Sequence, residues 1–449
     1  MEAGKLISEL TKKLEVLEKE NRLLKKTIRL LKEQLSQYET PKNSQNSSIP
    51  PSKDENRIIR KSLRGKSRRH TGGQYGHVGK TLLMFENPDE IVKHSSCHCD
   101  ICGEPLHHCP TKLIAKRQVV DIPIIKQKVI EHQVYQTICS CGHTITSEFP
   151  PEVKAPVSYG TNIQSLITYL HTRQYLPFQR MQELLNDVFQ IPISEGGIYY
   201  LLDKMARKAE PIYQSIKQKL AVSKEFVGSD ETGVKVKGKK YWGWTWQNKE
   251  LTYITITNNR GNKAVSENFK NGFSEAVLIH DCWRSQLHTP AKAHQICLAH
   301  LLRDLEYLTE RYHNQWSKTC KKVFLDAIRL KKGKKFNLIA PSDILEMEKR
   351  LDRLLQVTLN AKHKELISFQ KRLIKYRDHL FPFLYYEEVP PDNNSSERAI
   401  RNIKVKQKIS TQFKSERGAD IFAILRSVVD TTLKNGKNVL NTLHHIPAL

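Results

Sequence analysis

Between residues 6 and 38 the apolar positions recur in heptads. With Ile7 at position a, the a sites are Ile7, Leu14, Asn21, Ile28 and Leu35, and the d sites are Leu10, Leu17, Leu24, Leu31 and Tyr38. Nine of these ten are apolar or aromatic. A seam this narrow predicts a coiled coil, because a helix packed on its own protein shows a wider apolar stripe. Asn21 at an a site costs stability but favours a parallel, in-register pair, so the segment predicts a homodimer. Pro41 ends the helix.

The periodicity then disappears. Residues 41–80 are rich in Ser, Pro and Gly and read as a flexible linker without a core. From 161 to 207 helical spacing returns. PFQRMQELLNDVFQ, a short IPIS break and EGGIYYLLDKM form helix, turn and helix, with Ser194 as N-cap. That is helix-turn-helix geometry, although the second helix has no run of Arg, Asn or Gln for base edges.

From residue 224 the period changes to two. EFVGSDETGVKVKGKKYWGWTWQNKELTYITIT predicts three strands, with Trp242, Trp244 and Trp246 alternating and Lys237-Gly238-Lys239 as a hairpin turn. NKAVSENFKNGF is helical, and AVLIH is a short apolar run suited to a strand buried on both faces. Strand, strand, strand, helix, strand is the opening order of a ribonuclease-H-like fold. Residues 293–385 are then almost wholly helical in pattern.

Charge adds a partner to this outline. The 449 residues carry 73 Lys and Arg against 47 Asp and Glu, a net +26, with 39% apolar residues. The apolar content excludes wholesale disorder, and no run approaches the ~18 apolar residues of a membrane span. The N-terminus alternates charge too densely for a secretory segment, so a non-exported cytoplasmic protein is expected. The excess is concentrated. Arg57, Arg60, Lys61, Arg64, Lys66, Arg68 and Arg69 form an acid-free arm, and Arg398, Arg401, Lys404, Lys406 and Lys408 form a second strip. Both predict contacts to DNA phosphates.

Two kinds of candidate metal chemistry remain. Cys99/Cys102 and Cys139/Cys141 are short thiol pairs, each followed by a glycine and separated by a strand-like stretch. They predict a structural Zn²⁺ ribbon, with Cys97, Cys109, His98, His107 and His108 as possible substitute ligands. In a reducing compartment disulfides are the weaker alternative. The acids are Asp230 within the first strand, Asp281 at the end of AVLIH, and Glu397 opening a late helix. If the two strands are parallel neighbours the carboxylates converge, and hard oxygen ligands suit a pair of Mg²⁺ or Mn²⁺ ions for phosphoryl transfer. Each also has a plain reading: Asp230 as a turn residue, Asp281 as a strand-end cap, and Glu397 as the N3 acid of a capping box begun by Asn394. Cys297 and His300 form C-x-x-H, read as core packing because only two ligands are visible.

These motifs, with NSSIPPSKD, TGGQYGHVGKT, SDETG, HDCWR, CLAHLLRDL and DNNSSERAIRNIKVKQK, resemble the insertion-sequence-66-type transposases, a DDE family, over nearly the whole chain. The departures are the one-residue-shorter Cys139/Cys141 pair, Tyr75 where the Gly-rich motif usually has Pro, and a short C-terminal tail. The resemblance implies that Asp230, Asp281 and Glu397 are the catalytic acids. It further implies action on terminal inverted repeats and target DNA, and small companion proteins from the same element.

The expected fold is multidomain α+β. Its segments are a coiled coil (1–40), basic linker (41–90), zinc module (91–155) and helix-turn-helix region (156–220). The ribonuclease-H-like core (221–292 and 386–435) follows, interrupted by a helical insertion (293–385), and a tail occupies 436–449. Two competing classes share parts of this pattern: a nuclease that only hydrolyses DNA, and an inactive zinc/helix-turn-helix DNA-binding protein.

Overall fold

The computed structural model describes residues 2–39, 41–43, 46–47, 54–55, 76, 83–151, 153–333 and 335–448. The basic arm Arg57–Arg69 and Tyr75 lie outside the described residues. The chain forms two units, Ile59–Val129 and the remainder, Met1–Ile58 with Ile130–Leu449.

Helix α1 spans Glu2–Glu39 without interruption. Leu14, Leu17, Leu24, Ile28, Leu31 and Leu35 of the seam are all exposed along the single chain. The linker that follows departs from expectation at its start. Asn43 and Asn46 exchange side-chain-to-backbone bonds, both are buried, and Asn46 Nδ2 donates to Glu310 Oε2 at 2.9 Å. Short Asn and Ser side chains that cap their own backbone can dock without an apolar core.

In the unit Ile59–Val129 the described residues form no helix and no strand, and Gln118 bridges both backbone groups of Phe85. The expected strand from 117 onward does not form there. Val119 is 95% and Ile122 77% exposed. β-branched residues favour a strand only when a neighbour takes their backbone bonds, and Pro123 cannot donate. Pairing begins later, in the hairpin of β1 (Gln136–Ile138) and β2 (Thr144–Thr146).

Three helices follow: α2 (Thr161–Thr172), α3 (Phe178–Phe189) and α4 (Glu195–Ala221). Gln190, in the left-handed region, ends α3, and Ser194 caps α4 by accepting the Gly197 N–H at 3.1 Å. The helix–turn–helix outline is therefore present, with Ile198, Leu201, Leu202 and Met205 turned into the core.

The central sheet contains β3 (Phe226–Val236), β4 (Lys239–Gln247), β5 (Thr252–Thr257), β6 (Phe273–His280) and β7 (Ala291–Ile296). Its order is β5-β4-β3-β6-β7, with α5 (Asn262–Asn268) and α6 (Arg284–Leu287) in the connections. The first two ladders are antiparallel; β3–β6 and β6–β7 are parallel. Lys237 and Gly238, both at positive φ, make the tight turn between β3 and β4. Trp242, Trp244 and Trp246 pair with Gly233, Glu231 and Ser229, so all six lie on one sheet face.

The helical segment begins at Leu298, because residues 291–296 are the sheet's edge strand. It comprises α7 (Leu298–Tyr312), α8 (Gln315–Gly333), α9 (Pro341–Leu355), α10 (Lys364–Lys375) and α11 (Pro382–Tyr385), sharing one apolar core with Phe226, Val277 and Ile279. The chain returns through α12 (Asn394–Ser410), α13 (Glu416–Lys434) and α14 (Val439–His445). Among the described residues no helix is long and apolar enough to cross a membrane.

Candidate functional site

The parallel ladder places two acids side by side. Its register runs Phe226↔Val277, Val227↔Leu278 and Gly228↔Ile279, so two residues further on Asp230 and Asp281 come abreast just past the end of the ladder. Asp230 is in mid-strand, not in a turn. Asp281 follows β6, and the chain turns sharply there: Cys282 takes φ +66°. His280 supports that turn. Its Nδ1 accepts the Cys282 N–H at 3.2 Å, leaving Nε2 to donate to His294 Nδ1 at 3.1 Å. Burial, then His294 and His379, hold His280 neutral by pushing its pKa well down.

Glu397 arrives from the far side. The capping-box reading fails, because Asn393 precedes the helix as its cap and the Glu397 N–H bonds Asn393 O within the ordinary helical ladder. Asn393 is the fastener. Its Nδ2 donates to Ser229 O at 2.8 Å, and its backbone N–H donates to Cys297 Sγ at 3.2 Å. The Leu298 N–H donates to Pro391 O at 2.9 Å. Strand β3, the start of α7 and the start of α12 are thus tied at one point. Gly228 makes the closeness possible, since a Cβ there would stand 2.5 Å from Ser396 Oγ and 2.6 Å from Gln247 Nε2.

The electrostatics show the three acids converging. Burial raises the Asp230 pKa well above the carboxylate range, and Asp281, Glu231 and Glu397 raise it further. Two cations from α7 face them. His300 Nδ1 is 3.2 Å from Asp281 Oδ1 and its Nε2 is 3.8 Å from Glu397 Oε1. Arg303 Nη2 is 3.5 Å from the same Glu397 oxygen. Burial opposes the charged imidazole, but Asp281 and Cys297 outweigh it and push the His300 pKa up to about 11. Cys297 is fully buried, and burial raises its thiol pKa. Asp281, Cys297 and His300 offer ligand atoms within 4.8 Å of one another. The core-packing reading of the C-x-x-H pair therefore holds for Cys297 and fails for His300, which faces the acids.

Asp281 Oδ1 and Glu397 Oε1 are buried oxygens that make no hydrogen bond, with His300 and Arg303 as charged neighbours at 3.2 to 3.8 Å. Orphaned hard oxygens beside a third, raised carboxyl have the chemistry of a divalent-cation site.

Behind Asp230 lies a fourth acid. Glu231 is on the opposite face, where Arg260 Nε and Nη2 donate to Oε1 at 3.1 and 2.9 Å and Gln286 Nε2 donates to Oε2 at 2.9 Å. Burial raises its pKa, Arg260 lowers it and Asp281 raises it again.

The cysteine pairs have ordered local turns. Gly103 and Gly142 take positive φ, and their N–H groups return to Cys99 O at 2.9 Å and Cys139 O at 2.8 Å. The N–H groups of Cys102 and Ile101 lower the Cys99 pKa; that of Cys141, then its thiol, lower Cys139. Cys97, Cys102, Cys109 and Cys141 are exposed and unbridged.

Residues 156–421, more than half of the chain, match the transposase IS66 family. The chain belongs to the IS66 transposase family. Residues 1–82 match a family of unknown function, DUF6444. No curated protein matches the chain.

The transposase's second basic strip is not continuous. Arg398, Arg401 and Lys408 are exposed on α12, but Lys404 Nζ donates to Gly233 O at 2.5 Å and Lys406 is only 6% exposed. Helical rotation turns Lys406 away from the side that the other four cations share, and Lys404 is drawn in by its own bond, neither of which a charge count along the sequence can reveal. Sequence reasoning also missed Arg303, Asn393, Gly228 and Glu231. The only signal for the first was the three-residue spacing of His300 and Arg303, which puts both on one helix face.

Proposed function

We propose that this family member is a DDE enzyme of a bacterial insertion sequence, cutting DNA at the element's ends and joining them to target DNA. The strand order, three antiparallel-linked strands followed by parallel neighbours, supports a ribonuclease-H-like core. The observation that carries the reading is the convergence of the acids: the parallel register sets Asp230 beside Asp281, Asn393 ties the start of the Glu397 helix to β3, and burial, Asp281, Glu231 and Glu397 all raise the Asp230 carboxyl. Such mutual repulsion is a standing cost that bound cations relieve.

Asp230, Asp281 and Glu397 would hold two Mg²⁺ or Mn²⁺ ions. When bound, such a pair favours deprotonation of the attacking oxygen and stabilises the leaving one. Water first attacks a phosphorus at the element's end, and the broken P–O bond leaves a 3′-hydroxyl. That hydroxyl then attacks a target phosphodiester, forming one P–O bond as another breaks. No covalent link to the protein is required. Asn393 and Gly228 fix Glu397 against β3, so the three carboxylates need no rearrangement to act together. Exposed Arg398, Arg401 and Lys408 would bind phosphates of the same strand, joined by the arm Arg57–Arg69. The helix-turn-helix would bind terminal repeats, α1 would pair two subunits, and the pairs Cys99/Cys102 and Cys139/Cys141 would each supply thiolates to structural Zn²⁺. This activity places the protein in the cytoplasm, on the nucleoid, with companion proteins of its element.

The test is strand transfer by full-length protein on its element's ends with Mg²⁺ or Mn²⁺. The parent is expected to cut and join, and Glu397→Gln to do neither while folding and binding DNA as the parent does. Equal activity in Glu397→Gln would overturn the acid–metal reading. Cutting without joining would make the protein a nuclease.

A further inference from the structure

Trp283 stands two residues beyond Asp281 and is 36% exposed, unlike Trp244 and Trp246, which are buried. It is nevertheless held firmly. The Arg260 guanidinium lies 3.5 Å from the centre of its ring and 4.5 Å from that of Trp242, a ladder of ring, cation and ring. Glu231 fixes that guanidinium through two bonds. Trp283 Nε1 and Ser285 Oγ both donate to Arg260 O at 3.3 Å. The left-handed Cys282, braced by His280, throws the chain from Asp281 to this ladder in two residues. Next in sequence, Arg284 is exposed and has no ion-pair partner among the described residues.

We propose that Trp283 is a stacking platform for an unpaired nucleobase beside the cut, with Arg284 taking a neighbouring phosphate. The inference rests on the proposed DNA chemistry of the adjacent acids. An exposed indole with one face on a fixed cation has little rotamer freedom left to lose on binding. A flat aromatic surface with a cation next to it suits a base and its phosphate better than an apolar protein segment. The location matters because a base drawn out of the stack there would leave its backbone bent toward Asp281. Glu231 links the two functions: it fixes Arg260 on one sheet face while its neighbour Asp230 serves the other. In this role Trp283 positions substrate and takes no part in proton or phosphoryl transfer.

Full-length protein is titrated, without divalent metal, with the element's own end carrying 2-aminopurine at successive nucleotides flanking the cut. One position is expected to change fluorescence with the parent and with Trp283→Phe, but not with Trp283→Leu. With Mn²⁺, Trp283→Leu should cut paired ends about tenfold more slowly, and ends with a mismatched flanking pair less than roughly threefold more slowly. An abasic nucleotide at the responsive position should weaken binding by the parent and leave Trp283→Leu unaffected, a comparison that keeps the parent protein intact. Unchanged fluorescence and cutting in Trp283→Leu, equal loss on paired and mismatched ends, or an abasic nucleotide without effect on the parent would each overturn the proposal. The fluorescence is read without chemistry. A stacking signal in an enzyme that never cuts would sink the acid–metal reading alone, and cutting without the signal would sink only this inference.

Discussion

The acid site and the cysteine knuckles are positioned by opposite means. Each carboxylate is placed by burial and by bonds that cross long stretches of sequence: β3 to α12 through Asn393, α7 to the same loop through Cys297 and Pro391. Each knuckle is placed by its own few residues, and apolar neighbours such as Ile101 are exposed. The difference teaches where precision has to be built into the chain. Three like charges will not converge unless the fold forces them together, so the fold supplies close packing and pays in stability. A thiol pair needs only a turn whose N–H groups face sulfur, because a metal ion would complete the geometry.

The largest expected effect follows from that forced convergence. Asp230→Asn should reduce cutting roughly a thousandfold or more. It should also stabilise the metal-free protein by about 0.5–2 kcal/mol, the usual sign of a site built against stability. The pH dependence carries the same signature. The folded pKa of Asp230 is raised, so the folded state keeps its proton longer. Parent stability therefore falls as pH rises from the ordinary carboxylate range through the raised pKa, and the Asn variant should lose that contribution. Denaturant melts at several pH values check this; an Asn variant less stable at neutral pH would show that the charge is not a burden.

Gly228→Ala tests the precision without touching an acid. The added methyl would meet Ser396 Oγ, Gln247 Nε2 and Asn393 Oδ1, so the side chains that hold the start of α12 on β3 must give way and loosen it. Displacing Glu397 by a fraction of an ångström should slow cutting by roughly ten- to a hundredfold. Overpacking should cost about 1–3 kcal/mol. Full activity at the parent's stability would mean that α12 is less tightly placed than its bonds to β3 indicate.

Much of the acid site was legible because its signals are local. Period-two spacing indicates β3, β4 and β5, the apolar AVLIH run indicates β6, and two of the acids stand within β3 and just after β6. The parallel register that brings Asp230 abreast of Asp281 depends on long-range pairing, which no local pattern records. His300 was misjudged for a related reason. In sequence it lacks enough partners for a metal site, and only the folded loop 391–393 brings Glu397 to it. The stretch after residue 117 failed in the other direction: strand-like composition was present, but no neighbouring strand took its backbone bonds. Lys404 and Lys406 show the limit of counting charge, since helix rotation buries Lys406 and a bond to Gly233 O occupies Lys404.

The knuckle half of the comparison predicts a smaller, regional effect. Replacing Cys99 or Cys139 by Ser, or treating the protein with a chelator, should remove bound zinc and increase proteolysis between residues 83 and 151. Melting of the sheet and its helices should stay within about 0.5 kcal/mol of the parent, as expected for a change remote from their packing. Metal analysis with limited proteolysis decides it. If zinc content and cleavage are unchanged, the local turns suffice alone and the thiols have no structural metal to hold.

The smallest effect separates inward from outward charge on α12. Burial lowers the Lys406 pKa to about 8, so the folded state gives up its proton before the unfolded chain does at about 10.5. Stability of the parent should therefore rise between those two pH values, and Lys406→Met should be flat across the same window. At neutral pH the substitution should add on the order of 1 kcal/mol by removing a buried ammonium. It should leave DNA affinity and its salt dependence unchanged. Arg401→Ala, from the exposed side, should instead weaken binding to every sequence alike and reduce the salt slope by about 1. If both substitutions weaken DNA binding equally, α12 must turn Lys406 outward on DNA, and the burial that separates the two sides of the helix belongs to the free protein only.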